Sequence, residues 1–409
     1  MRHGDSAMSR LARGLAGLAA AALVLTACTS TPTSTQTVNT GHEAKARVAG
    51  AAPTTSAGPV SVDVTPASGQ GISPATPIVV KATNGTLTSV TVQDTKGNAV
   101  TGALSADNET WTSNESMAYG STYKINAVAA GRSGQSVTKQ ASVSTLTPSK
   151  VAYPNMIPAP ATVTSSGVGV GQPVVFDFDQ PVVNKQAVQA ALSVRTTPSQ
   201  PGAWYWISDN QVDYRAPNFW QAGTTIDVTA NIVGVDFGNG IYGAEDRQVT
   251  YHVHDALIAK ADGNTEQMSI SDNGTVIKTM PISMGKQATP THEGTHVISA
   301  KNQSVNMNSC TYGVCSGPNA YNVTEYWAER ISNDGEFVHE NPNSVGAQGS
   351  SNVSHGCINL NLQNAQWFFG HMGVGDVVEV TNSGGPPLPV WDLYGDWSVP
   401  WAQWSAGNA

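Results

Sequence analysis

From residue 59 onward the chain is written in short alternating runs of apolar and polar residues, not in helical stripes. Val60-Ser61-Val62-Asp63-Val64, Ser89-Val90-Thr91-Val92 and Tyr123-Lys124-Ile125-Asn126-Ala127-Val128 each place alternate side chains on opposite faces. Pro77-Ile78-Val79-Val80 is a further strand candidate, and Asn84-Gly85, Lys96-Gly97-Asn98 and Tyr119-Gly120 fall between the runs as turns. Roughly six or seven strands in about 90 residues predict an immunoglobulin-like β-sandwich over residues 59–148.

A second module of the same rhythm is expected over 149–254. Its clearest strands are Val174 to Asp179, Trp204-Tyr205-Trp206, Thr225 to Val228 and Gln248 to Val253, with one short helix over Asn184 to Leu192. Asp177 and Asp179 read as solvent-facing acids on an alternating strand, in preference to an acid/base pair or a cation site. Trp204, Trp206 and Trp220 read as core in preference to a glycan platform. Residues 255–381 form the third module. There Asn273-Gly274 between two apolar-alternating runs signals a hairpin, Gln363 to Met372 is the helix candidate, and Asp376 to Val380 reads as a closing strand. The tail, 382–409, carries Trp391, Trp397, Trp401 and Trp404; bracing the second module is favoured over contact with membrane or glycan. The fold class expected is mainly β: two immunoglobulin-like sandwiches, a β-rich third domain and a Trp-rich tail.

Composition narrows the setting. Charged residues are 12% of the 409, about half the usual share. The net charge is −9 and no Lys/Arg cluster follows the leader, so a nucleic-acid partner is excluded. Arg2, Arg10 and Arg13 precede an apolar stretch from Gly14 to Ala27, the pattern of an export signal over 1–27. Leu25-Thr26-Ala27-Cys28 resembles the bacterial lipobox, which implies cleavage before Cys28 and lipid attachment to it; an ordinary signal cleaved near Ala27 is the alternative. The Thr-, Ser-, Ala- and Pro-rich stretch 28–58 reads as a flexible tether. The expected location is extracytoplasmic, on the outer face of the cell membrane.

Three cysteines remain for chemistry. Cys310 and Cys315 flank a Tyr-Gly turn; a disulfide, two free thiols and a metal site are all open, with the disulfide favoured outside the cytoplasm. Cys357, in Ser354-His355-Gly356-Cys357-Ile358-Asn359, is the odd thiol. A reactive thiolate needs a base nearby, and His355 and His339 are available. The amides of Gly356 and Cys357 are candidate oxyanion donors. By chemistry alone a Cys–His acyl-transfer site and a buried structural cysteine stand level.

A family resemblance decides between them. His339, then 14 residues, then Ser354-His355-Gly356-Cys357 resembles the signature of the YkuD-type L,D-transpeptidases. Met284-Gly285-Lys286, Thr289-Pro290-Thr291 and Gly294 look like a second segment of that family. The resemblance extends to the mycobacterial and actinobacterial type with a lipobox and two immunoglobulin-like modules. It implies Cys357 as nucleophile and His339 as base, held by the carbonyl of Glu340. It implies a supporting role for His355 and Gly356, and substrate contact or loop ordering for Ser354 and Asn359. Tyr321, Met307 and Tyr312 match the donor pocket and its lid, with Cys310 and Cys315 inside the lid segment. The resemblance implies peptidoglycan stem peptides as donor and acceptor, 3→3 cross-links made through a thioester, acylation by carbapenems, and neither cofactor nor metal. Glu340 and Asn343 depart from many relatives, which have Ser and Trp there. An exported L,D-carboxypeptidase or cysteine peptidase is the rival enzyme, and a wall-binding spacer with an idle cysteine the rival outside enzymes.

Overall fold

The structure is a computed structural model and describes residues 58–409. The expected signal, the lipobox with Cys28 and most of the tether lie outside the described residues. Among the described residues no helix is long and apolar enough to cross a membrane.

The first module is two four-stranded sheets face to face. Ser61–Thr65, Val79–Thr83, Thr110–Ser113 and Gly102–Leu104 form one sheet; Gly69–Ile72, Ser136–Thr145, Thr122–Gly131 and Gly85–Asp94 form the other. Ser61–Thr65 alternates exposed and buried at every position, so Val62 and Val64 join Ile78, Val80, Trp111 and Ile125 in the core. The Tyr119 hydroxyl ties this module to the next. It donates to the Gly243 carbonyl at 2.6 Å and accepts the Gly234 N–H at 2.7 Å.

The second module packs the sheet Pro154–Ile157, Val174–Phe178, Gln211–Arg215, Ala203–Trp206 against Leu192–Thr197, Thr225–Ala230, Arg247–His252. The short helix is Lys185–Ala190. Trp206 and Trp220 are buried in the core, with Trp204 packed against it, which leaves no aromatic platform. One expectation fails here. Val174–Phe178 does not alternate: Val174, Val175, Phe176 and Phe178 are all buried and Asp177 is half-buried. The outer face of this sheet is covered, because Val175 packs with Val297 of the third module and Tyr394 of the tail. Burial therefore lifts the Asp177 carboxyl above its usual range, with Asp179 adding to it.

The third module has a five-stranded sheet ordered Thr275–Pro281, Gln267–Asp272, Leu257–Asp262, Val377–Thr381, Gly294–Val297. Asn273 and Gly274 turn its first hairpin with φ of 47° and 84°, the left-handed pair that tight hairpins require. The last strand does not sit at an edge; it runs parallel to Leu257–Asp262 in the sheet interior. A second sheet, Ala300–Asn308, Asn322–Arg330, Phe337–Glu340, Ile358–Leu360, faces the same core. Helix Leu362–His371 closes it, capped by Asn361, whose side chain accepts the Asn364 N–H at 2.9 Å.

The junction between the second and third modules is tight. Gly169 and Gly171 donate to the carbonyls of Val374 and Gly375, each at 2.9 Å. A Cβ on Gly169 would stand 2.2 Å from the Asp376 amide nitrogen, so only glycine fits. Asp376 itself is fully buried, and that burial raises its pKa to about 8 against the opposing Gly373 N–H. A folded-state pKa above the unfolded value favours folding at low pH, and the gain is lost as pH rises from about 4 to about 8. The chain is expected to melt at a lower temperature at pH 8 than at pH 5. Asp376→Asn is expected to shrink that gap by on the order of a few kcal/mol. Denaturation of both proteins at the two pH values checks it; an unchanged gap refutes the assignment.

The tail lies on the second module. The Trp404 indole donates to the Ala203 carbonyl at 2.8 Å and Trp397 to the Gly171 carbonyl at 2.9 Å. Asn408 pairs with both backbone groups of Trp206, at 2.7 and 2.8 Å. Buried Arg215 stands 4.8, 5.5 and 4.5 Å from the rings of Trp397, Trp401 and Trp404 and donates to the Val399 carbonyl at 2.6 Å. Burial lowers its pKa only to about 10, so it remains charged at neutral pH. Each such cation–π contact contributes ~0.5–2 kcal/mol, and Arg215→Ala also opens a cavity. The expected cost is about 2–4 kcal/mol, measured as a fall in denaturation midpoint. Trp391 differs from the other three and is 64% exposed.

Candidate active site

Two short strands bring the key side chains together. Phe337–Glu340 pairs in parallel with Ile358–Leu360, with His339 opposite Asn359. Cys357 immediately precedes that second strand and lines one cavity with His339. The His339 ring is oriented from behind: Nδ1 lies 2.6 Å from the Glu340 carbonyl oxygen. A carbonyl only accepts, so Nδ1 carries a proton and Nε2 is the nitrogen left for the thiol.

His339 is buried, which alone depresses its pKa. The neighbouring Cys357 and Glu325 outweigh this and raise it to about 10. Glu325 Oε2 is 3.6 Å from Nδ1. Such an imidazole is placed to take the thiol's proton as the thiol attacks. The Cys357 sulfur also lies 3.6 Å from the Gly335 carbonyl.

The nucleophile loop is held by the Gly-Lys and Thr-Pro segments. The Thr291 hydroxyl donates to the Gly356 carbonyl at 2.7 Å and accepts the Gly285 N–H at 3.0 Å. Lys286 N–H donates to the Ser354 carbonyl at 3.0 Å. Ser354 is buried and staples the loop, donating to the Cys357 carbonyl at 2.6 Å and accepting the Gly356 N–H at 3.1 Å. That last bond corrects the expected pair of oxyanion donors: the Gly356 amide is already spent on Ser354. Gly356 is required for its backbone, with φ of 130°.

His355 lines the cavity into which Cys357 opens and meets Lys286 and Tyr321 there. It is exposed, its Nε2 is 3.1 Å from the Lys286 ammonium, and its ring lies 5.3 Å from that of Tyr321. Burial and the Lys286 charge lower its pKa, which favours the neutral ring. Met307 is buried against Cys357, Phe337 and Tyr321. Asn359 is buried with neither side-chain atom paired within the protein. Cys310 and Cys315 are joined as a disulfide in the turn after strand Ala300–Asn308. The side chain of Tyr312 lies outside the described residues.

Cys357 and His339 open into a cavity of about 370 Å³ that Met307, Tyr321, Glu325, Asn343 and Asn359 also line. A second cavity of about 540 Å³ lies against Gly335 and shares Tyr321 and His355 with the first. Sequence reasoning missed Glu325. Val323 and Glu325 are two apart on one strand and so share a face, but only the pairing of that strand with Phe337–Glu340 shows which face meets the histidine.

A thiol paired with a backbone-oriented imidazole, on a β-rich domain behind two β-sandwiches, defines a cysteine acyl-transfer enzyme. The L,D-transpeptidase catalytic domain model, YkuD, matches residues 258–380, and a bacterial Ig domain model matches 69–236. The chain is 41% identical to L,D-transpeptidase 2 of Mycobacterium tuberculosis over 83% of its length and 82% of the relative's. It is 34% identical to L,D-transpeptidase 5 of the same species over 82% and 74%. A solved L,D-transpeptidase in complex with imipenem is 34% identical over 56% of this chain and 99% of that one, with a TM-score of 0.48. The chain belongs to the YkuD-type L,D-transpeptidase family.

Proposed function

We propose that this L,D-transpeptidase uses Cys357 to form 3→3 cross-links between peptidoglycan stem peptides. The observation that carries this is the cavity that Cys357 and His339 share, with His339 Nδ1 fixed on the Glu340 carbonyl. The thiolate attacks the carbonyl carbon of the L-centre of diaminopimelate in a donor tetrapeptide. The bond to the terminal D-alanine breaks, and the His339 imidazolium protonates the departing amine. The side-chain amine of a second stem then attacks the thioester and gives its proton to His339. The carbon–sulfur bond breaks and the thiolate returns. One amide replaces another, so no external energy source is needed.

Two cavities meeting at the nucleophile loop give donor and acceptor one site each, which favours transfer over hydrolysis. Asn359, buried and unpaired on the first cavity, is placed to hydrogen-bond the donor. Tyr321 and Met307 shape the walls of that cavity. Carbapenems acylate the same sulfur, since their strained amide offers it a carbonyl. The lipid on Cys28 holds the enzyme at the outer face of the membrane, where the stems are. Incubation with a purified disaccharide-tetrapeptide and mass analysis tests the reading. Dimer with loss of one D-alanine supports it; trimmed monomer alone assigns the carboxypeptidase, and no turnover refutes both.

A further inference from the structure

A second cluster of chemically competent side chains lies beside the nucleophile and takes no part in the mechanism above. His292, Asp334 and Glu336 line the cavity that borders Gly335. His292 Nδ1 is 3.1 Å from Glu336 Oε1 and 3.5 Å from Asp334 Oδ2. One donor atom from each residue falls within 4.8 Å of the others. A tetrahedral divalent ion with bonds of about 2.1 Å sets its neighbouring donors ~3.4 Å apart. Two of the three edges are already near that length, and the Asp334 side chain, one-third exposed, has room to close the third.

The donors are held in place before any ion arrives. Glu336 is buried, its Oε2 lies 3.2 Å from His296 Nε2, and its Oε1 accepts the His292 backbone N–H at 2.8 Å. A fully buried histidine behind a ligating carboxylate is the outer support that metal sites use to fix their ligands. A second observation is independent of the cluster. Asp392 is 1% exposed, and one carboxylate oxygen takes the Asn333 N–H while the other has no partner. Its bond to Asn333 stands it beside Asp334, the next residue along the chain. A buried carboxylate oxygen left unpaired is costly, and a nearby cation relieves it.

We propose that His292, Asp334 and Glu336 form a site for one divalent ion of the zinc type, with Asp392 as its neighbouring carboxylate. One imidazole and two carboxylates suit a borderline ion, and three protein ligands leave a position open to water from the cavity. The site is one residue from the Gly335 carbonyl that meets the Cys357 sulfur, so an ion bound there sits at the edge of the reacting centre.

The test is calorimetric titration of Zn²⁺ into the full mature chain carrying Cys357→Ala, so that the catalytic thiol cannot be the ligand. One ion per chain is expected, bound at least ~10-fold more weakly after His292→Ala and after Asp334→Asn, in line with loss of one ligand in three. Thermal melting confirms that each variant is folded; should His292→Ala not fold, the exposed Asp334→Asn decides alone. No saturable binding, or equal affinity in the Asp334→Asn chain, overturns the proposal.

Discussion

Cys357→Ala is expected to abolish both turnover of a tetrapeptide donor and the covalent adduct with a carbapenem. The side chain is buried in the wall of the first cavity, packed with Met307 and Phe337. Removing one sulfur there is a small change in volume, so the variant is expected to fold. Among the described residues it is the only cysteine outside the disulfide, so no other thiol among them can take over. Intact-mass measurement after incubation with meropenem gives the answer. An adduct of the drug's mass on the alanine variant would place the nucleophile elsewhere.

His339→Ala is expected to lower the rate by roughly 10²–10⁴-fold, the usual worth of a positioned general acid–base. The raised pKa of His339, about 10, depends on the neighbouring Cys357 and Glu325, which favour the charged ring. Without that ring no positioned base takes the proton of Cys357, and the residual rate is expected to climb with pH as hydroxide takes over that role. A variant with wild-type rate, or with an unchanged pH profile, would remove His339 from the mechanism. Breaking the contact from Glu325 leaves the Glu340 carbonyl in place, so the ring keeps its tautomer there.

Much of this was legible because it is local. Asn273-Gly274 announces its hairpin through backbone angles that few other pairs tolerate. The His339 to Cys357 spacing is legible because His339 lies on one short strand and Cys357 immediately precedes another, and the two strands pair directly. What was hidden depends on distant chain. The Val174–Phe178 strand looks one-sided until a tail some 200 residues later covers its second face. The Gly356 amide looks like an oxyanion donor until Ser354 is seen to bind it. Glu325 is one charge among many on an exposed-looking strand. Its place beside the imidazole follows from a bulge between Tyr326 and Glu329, which no short window of sequence displays.

The grip of Asn408 on Trp206 bears on how this protein is best handled in the laboratory. An affinity tag fused close behind Asn408 would crowd a residue already in use. Purification handles therefore belong on the amino-terminal side of the first sandwich, and a trimmed version for crystallisation should keep the second sandwich, the third module and the tail through Asn408. Ending it earlier would strip the cover from Val175 and Arg215 and leave an oily flank prone to self-association.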